Sequence, residues 1–103
     1  MGSGQIGCVR VRARLGSPER TRVEETDLLV DTGAYYSVLT PKLTEDLDIK
    51  PMAKVELLLA DKRKVEAQLS YAYIEIGNRE GVLPIAIMEA PEPILGVTAL
   101  EGL

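Results

Sequence analysis

From Val9 to Leu15 apolar residues and arginines alternate without a break. Val9, Val11, Ala13 and Leu15 fall on one face, and Arg10, Arg12 and Arg14 on the other. A period of two marks a strand with one buried face. The rest of the chain limits what such a strand can pack against. Its 103 residues include four Tyr but no Phe and no Trp, so Val, Leu, Ile and Ala must build the core. Dense Val and Ile suit pleated, half-buried surfaces. A mostly β chain of this length fits one domain over residues 1–103. A domain so small buries a modest share of its surface, and association would stabilise it.

Turn and cap signals divide the remainder. Met1 to Gly4 read as a disordered start. Gly16-Ser17-Pro18 supplies turn chemistry before a second strand from about Glu19 to Val30, on which Glu24 and Glu25 answer the arginines. Thr40 as N-cap and Pro41 at the first position start a short helix reaching about Leu47, and Pro51 blocks its continuation. Strands over Lys54 to Ala60 and Val65 to Ile76 make a long hairpin with the charged tip Asp61-Lys62-Arg63-Lys64. Gly77-Asn78 turns into a strand from Gly81 to Met88. Ala90-Pro91-Glu92-Pro93, the triplet Ile94-Leu95-Gly96 and a helical stretch from Val97 to Glu101 complete the chain. The expectation is six or seven short strands and two brief helices.

Composition removes several kinds of chemistry. With no His, serine and cysteine catalysis through imidazole is excluded, as are most zinc sites. The lone Cys8 allows no disulfide within the chain and reads as a small buried apolar residue. A net charge of −4 with both signs interspersed leaves no nucleic-acid footprint. Glu45, Asp46, Asp48 and Asp61 read as solvated carboxylates, so neither metal nor cofactor is expected. Gly2 to Gly7 matches the letters of a dinucleotide-binding fingerprint, but no strand precedes it and no helix follows. Met1-Gly2 resembles a myristoylation start with Ile6 where Ser or Thr is wanted. No apolar run approaches the ~20 residues of a membrane span, and the signal-peptide layout is absent. The expected setting is cytoplasmic, away from membranes.

The informative segment is Leu28-Leu29-Val30-Asp31-Thr32-Gly33-Ala34. An apolar strand runs straight into a carboxylate, which is costly there unless that carboxylate is hydrogen-bonded. Gly33 lets the backbone turn tightly and bring its N–H towards Asp31. Thr32 offers a hydroxyl to a backbone group. Those three letters alone are also compatible with an ordinary strand-end turn.

Together with Ser37-Val38-Leu39 and the distant Ile94-Leu95-Gly96, the segment resembles the retropepsin-like aspartic proteases, from about Val23 to Leu100. The resemblance implies a closed, pepsin-like β barrel in which the segment around Ile94 threads beside the active-site loop. It implies a homodimeric endopeptidase, with Asp31 as the catalytic aspartate. The Thr32 hydroxyl would tie the two active-site loops together across the dimer, and Gly33 would receive the substrate backbone. Leu29, Ala34, Tyr35, Tyr36, Val38 and Ile94 would line subsites. The turn around Ala60, Asp61 and Lys62 to Lys64 would be the tip of a flap that closes over bound peptide. Ala34 lacks the hydroxyl that Ser or Thr supplies in many two-domain relatives, which shifts the expected working range from strongly to mildly acidic.

Three departures shape these expectations. The tip lacks the glycines of retroviral flaps. Val97 and Tyr35 stand where retroviral members carry an arginine and its acidic partner. The sequence ends at Leu103, where those members run on into a strand that interleaves with the dimer mate. The dimer is thus expected to be held differently. Two other readings stay open at the level of sequence. One is a weakly active or inactive dimeric module binding extended peptides by strand addition. The other is an interaction domain in which Asp-Thr-Gly is only a turn.

Overall fold

The structure, a computed structural model, describes residues 9–58 and 62–103. Met1 to Gly4, Cys8, and Ala60 and Asp61 of the hairpin tip therefore lie outside the described residues. The elements are β1 (Arg10–Gly16), β2 (Val23–Val30), β3 (Ser37–Leu39), α1 (Pro41–Asp46), β4 (Ala53–Leu58), β5 (Lys64–Ile76), β6 (Arg79–Ile87), β7 (Ile94–Leu95) and α2 (Val97–Gly102). The strand order is β1-β2-β7-β3-β6-β5-β4, and a further pairing of β1 with β5 closes six of the seven strands into a ring. The mostly β architecture is as expected.

The alternation holds from Val11 onward, whereas Val9, expected on the buried face, lies before β1 and is exposed. Ala13 and Leu15 are buried while the three arginines stay exposed and face acids. Arg12 lies 3.7 Å from Glu25 and 3.5 Å from Asp27, and Arg14 lies 3.3 Å from Glu75. The antiparallel partner β2 runs in register from Arg10↔Leu29 to Gly16↔Val23. It starts four positions later than expected, at Val23 and not Glu19. The reason is a turn that consumes the intervening residues. The Arg20 N–H bonds to the Ser17 carbonyl at 2.8 Å, and the buried Ser17 hydroxyl accepts the Thr21 N–H at 3.2 Å.

The long β5 organises the other half. On one edge it pairs with β6 from Gln68↔Ile87 to Ile76↔Arg79. Its other edge is divided: β4 takes Lys64 to Leu69, and β1 takes Tyr73 to Glu75. Strand β3 was not expected as a strand. Its three residues are all buried between β6, which it meets in parallel, and β7, which it meets antiparallel. Three residues carry too little alternation to be read from sequence. Helix α1 begins as its cap predicts, the Thr40 hydroxyl accepting the Leu43 N–H at 3.3 Å.

Two apolar clusters result. The larger is aliphatic, with Leu15, Leu28, Leu39, Leu47, Ile74, Ile85 and Leu95 almost fully enclosed. Among the described residues, the smaller has only Val38, Ala67 and Ala86 buried, with Tyr36, Val55, Leu57, Leu69, Met88, Ala90 and Ile94 half-buried around them. Among the described residues, no helix is long and apolar enough to cross a membrane.

Strand β7 passes through a gap that admits only glycine at Gly96. A Cβ built there would stand 2.5 Å from the Tyr36 carbonyl oxygen and 2.8 Å from that of Ala34. The backbone at Gly96 is extended (φ −98°, ψ −178°), so the constraint is space and not dihedral freedom. Gly96→Ala is expected to destabilise the fold by about 2–3 kcal/mol, as overpacking against backbone does. Urea unfolding should show a lower midpoint at an unchanged slope.

Candidate active site

Asp31 is held by backbone on every side. Strand β2 runs parallel to β7, with Leu29↔Ile94 and Val30↔Leu95 in register. The Leu29 N–H donates to the Pro93 carbonyl and the Asp31 N–H to the Leu95 carbonyl, both at 3.0 Å. One residue later the chain folds back, the Ala34 N–H reaching the Asp31 carbonyl at 3.1 Å. Within that turn the Gly33 N–H donates to Asp31 Oδ1 at 2.9 Å. A Cβ on Gly33 would sit 3.3 Å from the same oxygen, so glycine keeps the approach open. The far end of the loop is fixed by α2, where Val97 and Thr98 donate N–H groups to the Ala34 and Tyr35 carbonyls at 2.8 and 3.0 Å. The buried Ser37 hydroxyl accepts the Gly96 N–H at 3.0 Å. The carboxylate itself remains exposed to water in the single chain.

Beside it opens a cleft of about 420 Å³. Of the residues singled out in the sequence, Asp31, Gly33, Ala34, Tyr35, Tyr36, Val38 and Ile94 stand on its wall. Tyr35 and Tyr36 meet edge to face with ring centres 4.9 Å apart, and Tyr35 is 66% exposed at the rim. Among the described residues, Asp31 is the only carboxylate on the wall, which is otherwise largely apolar. Thr32 is exposed and off the wall. Leu29 also lies off the wall, in register with Arg10 on one side and Ile94 on the other. Lys62 is exposed with a left-handed backbone (φ 70°) and does not reach the cleft. Ala60 and Asp61 fall outside the described residues.

Leu57, Met88 and Ala90 complete the wall and were not singled out from sequence. Each is an unremarkable apolar residue at or near a strand end. Strand pairing brings them to the cleft, and only knowledge of the β4–β5 and β5–β6 registers would have marked them. Outside the cleft, Arg10 grips Glu92 with two parallel bonds, Nε to Oε1 and Nη2 to Oε2, each 2.8 Å. The guanidinium holds the Glu92 carboxyl below the usual carboxylate range.

Comparison with known proteins agrees with this geometry. Residues 11–99 match the family model of the aspartyl proteases. No curated protein matches the chain. Among solved structures it is similar to the EIAV protease complexed with the inhibitor HBY-793, with a TM-score of 0.67. That similarity covers 91% of this chain and 86% of the other at 20% identity, a level at which it speaks for the fold. The strand-end carboxylate, the apolar-apolar-glycine strand threaded beside it and the match over residues 11–99 converge: this chain belongs to the aspartyl protease family and has the retropepsin-like fold.

Proposed function

We propose that the chain, one domain over residues 1–103, is one protomer of a homodimeric aspartic endopeptidase acting on peptide or protein substrates. The observation that carries this reading is the exposed Asp31, the only carboxylate among the described residues of an apolar cleft. Peptide hydrolysis by carboxylates needs two of them around one water. A two-fold axis through the site would supply the second from an identical copy, as an isologous dimer does. Dimerisation then belongs to the mechanism.

In that dimer one carboxylate is ionised and the other protonated, because two so close cannot both carry charge. The ionised member takes a proton from the water as its oxygen bonds to the scissile carbonyl carbon. The protonated member gives its proton to the carbonyl oxygen, and a tetrahedral gem-diol forms. The first carboxyl then gives its proton to the amide nitrogen while the second takes one from a gem-diol hydroxyl, so the C–N bond breaks, an amine and a carboxylic acid leave, and the pair again holds one proton. The Gly33 N–H holding Asp31 Oδ1 supports this role by orienting the carboxylate before substrate arrives. The Thr32 hydroxyl is proposed to join the two loops across the axis. The hairpin beyond Leu57 is proposed as the flap, with Lys62 at its tip. We propose a cytoplasmic setting, because a chain with a single cysteine gains no internal disulfide from an oxidising compartment.

Asp31→Asn should lower cleavage of an unstructured protein by at least about a thousandfold while leaving the fold intact. Equal cleavage by both forms would overturn the assignment, and a folded but inactive native dimer would favour a peptide-binding module. Specific activity should fall on dilution as dimers dissociate, in step with the dimer fraction seen by sedimentation. Activity independent of concentration would count against a shared site. The pH profile should be a bell, since one acid and one base are needed. With Ala34 offering no hydroxyl to the ionised pair, the optimum should lie in the mildly acidic range, and an optimum below about pH 3 would contradict this.

A further inference from the structure

Among the described residues, Arg10 and Glu92 form a two-bonded fork outside the catalytic loop that the proposed chemistry does not use. It joins the first residue of β1 to the segment before β7, bridging chain positions 82 residues apart. An exposed ion pair is ordinarily a weak contributor to stability, but two parallel bonds of 2.8 Å impose direction as well as attraction. What the pair directs is the cleft. Glu92 lies between Ala90 and Ile94, both of which stand on the cleft wall. Pro91 and Pro93 on either side of it fix two backbone angles, so the segment has little freedom left to lose. The Pro93 carbonyl is also tied to the Leu29 N–H. Arg10, Leu29 and Ile94 sit side by side across β1, β2 and β7, so the fork spans the strand that carries Asp31.

Resting on the protease reading above, we propose that Arg10 and Glu92 are positioning residues that set the width of the substrate subsite bounded by Ala90 and Ile94. Neither touches the cleft. Both act through the stiff Pro-Glu-Pro segment, which they pin to β1. Releasing the fork lets that wall move outward, so a large apolar side chain beside the scissile bond loses its contacts. A small side chain makes few contacts there and loses little. The loss is therefore in substrate binding and selectivity, with the carboxylate chemistry left in place.

The test compares two chromogenic peptides that differ only in carrying Leu or Ala beside the scissile bond, cleaved by the native dimer and by Arg10→Met, Glu92→Gln, Arg10→Lys and the swap Arg10→Glu/Glu92→Arg. Each neutral single variant should raise KM for the Leu peptide by about fivefold with kcat within about twofold, a loss of uniform binding. KM for the Ala peptide should barely move, so selectivity for Leu shrinks. Arg10→Lys keeps the charge but not the fork and should fall between. The swap should restore selectivity. Unchanged selectivity in both neutral variants would overturn the proposal, as would a swap no better than they are. If a neutral variant unfolds, the Lys variant and the swap decide by the same criterion. Failure of the native chain to cleave either peptide would instead sink the protease reading, and this inference with it.

Discussion

Everything at the site depends on how the backbone of β7 lies against the loop that follows β2. Four hydrogen bonds join Asp31, Ala34, Tyr35 and Ser37 to Leu95, Gly96, Val97 and Thr98. They are possible only because Gly96 presents no side chain to the Ala34 and Tyr36 carbonyls. Each such bond contributes about 1 kcal/mol net. Their larger effect is geometric, since together they leave the loop one path. The carboxylate of Asp31, the aromatic rim and the α2 helix are all placed by this single seam. The apolar side chains of Leu28 and Leu95 beneath it are fully buried and exclude water from its underside.

Much of this was legible before any coordinates, for a physical reason. The alternation at Val11 to Leu15, the cap at Thr40-Pro41 and the turn at Gly77-Asn78 are local signals, and each produced the element it announces. The Asp31 turn was legible because an acid after an apolar run needs nearby N–H donors, and Gly33 supplies one. What could not be read is what depends on partners far along the chain. Strand β3 exists because β6 and β7 flank it, not because three residues favour extension. Leu57, Met88 and Ala90 reach the cleft through register, and Arg10 finds Glu92 through the order of strands in the ring. The delayed start of β2 reflects a turn stabilised by the buried Ser17 hydroxyl, which looks like any loop serine in the sequence.

The two apolar clusters differ in how deeply their described residues are buried. The aliphatic cluster inside the ring is closed, and each leucine there is worth about 1.5–3 kcal/mol of burial. Among the described residues, the cluster around Val38, Ala67 and Ala86 is ringed by half-buried side chains that include much of the cleft wall. Two of the four tyrosines, Tyr35 and Tyr36, stand on the cleft wall, whereas Tyr73 is buried on β5 and Tyr71 is exposed there.

The divided edge of β5 has a consequence for how the molecule yields. From Gln68 onward the strand has neighbours on both sides for most of its length, but Lys64 to Ala67 are paired with β4 alone. That outer stretch is a two-stranded ribbon, an arrangement with little stability of its own. It is cantilevered from a beam clamped at Tyr73 to Glu75 by β1 and by β6. A load on the free end bends the ribbon near Gln68, where pairing with β6 begins, and the ring does not have to open. The fold therefore separates a stiff frame from a compliant arm along one continuous strand. Amide exchange along β5 would trace that gradient, rapid among the residues held by β4 alone and slow where β1 and β6 grip together.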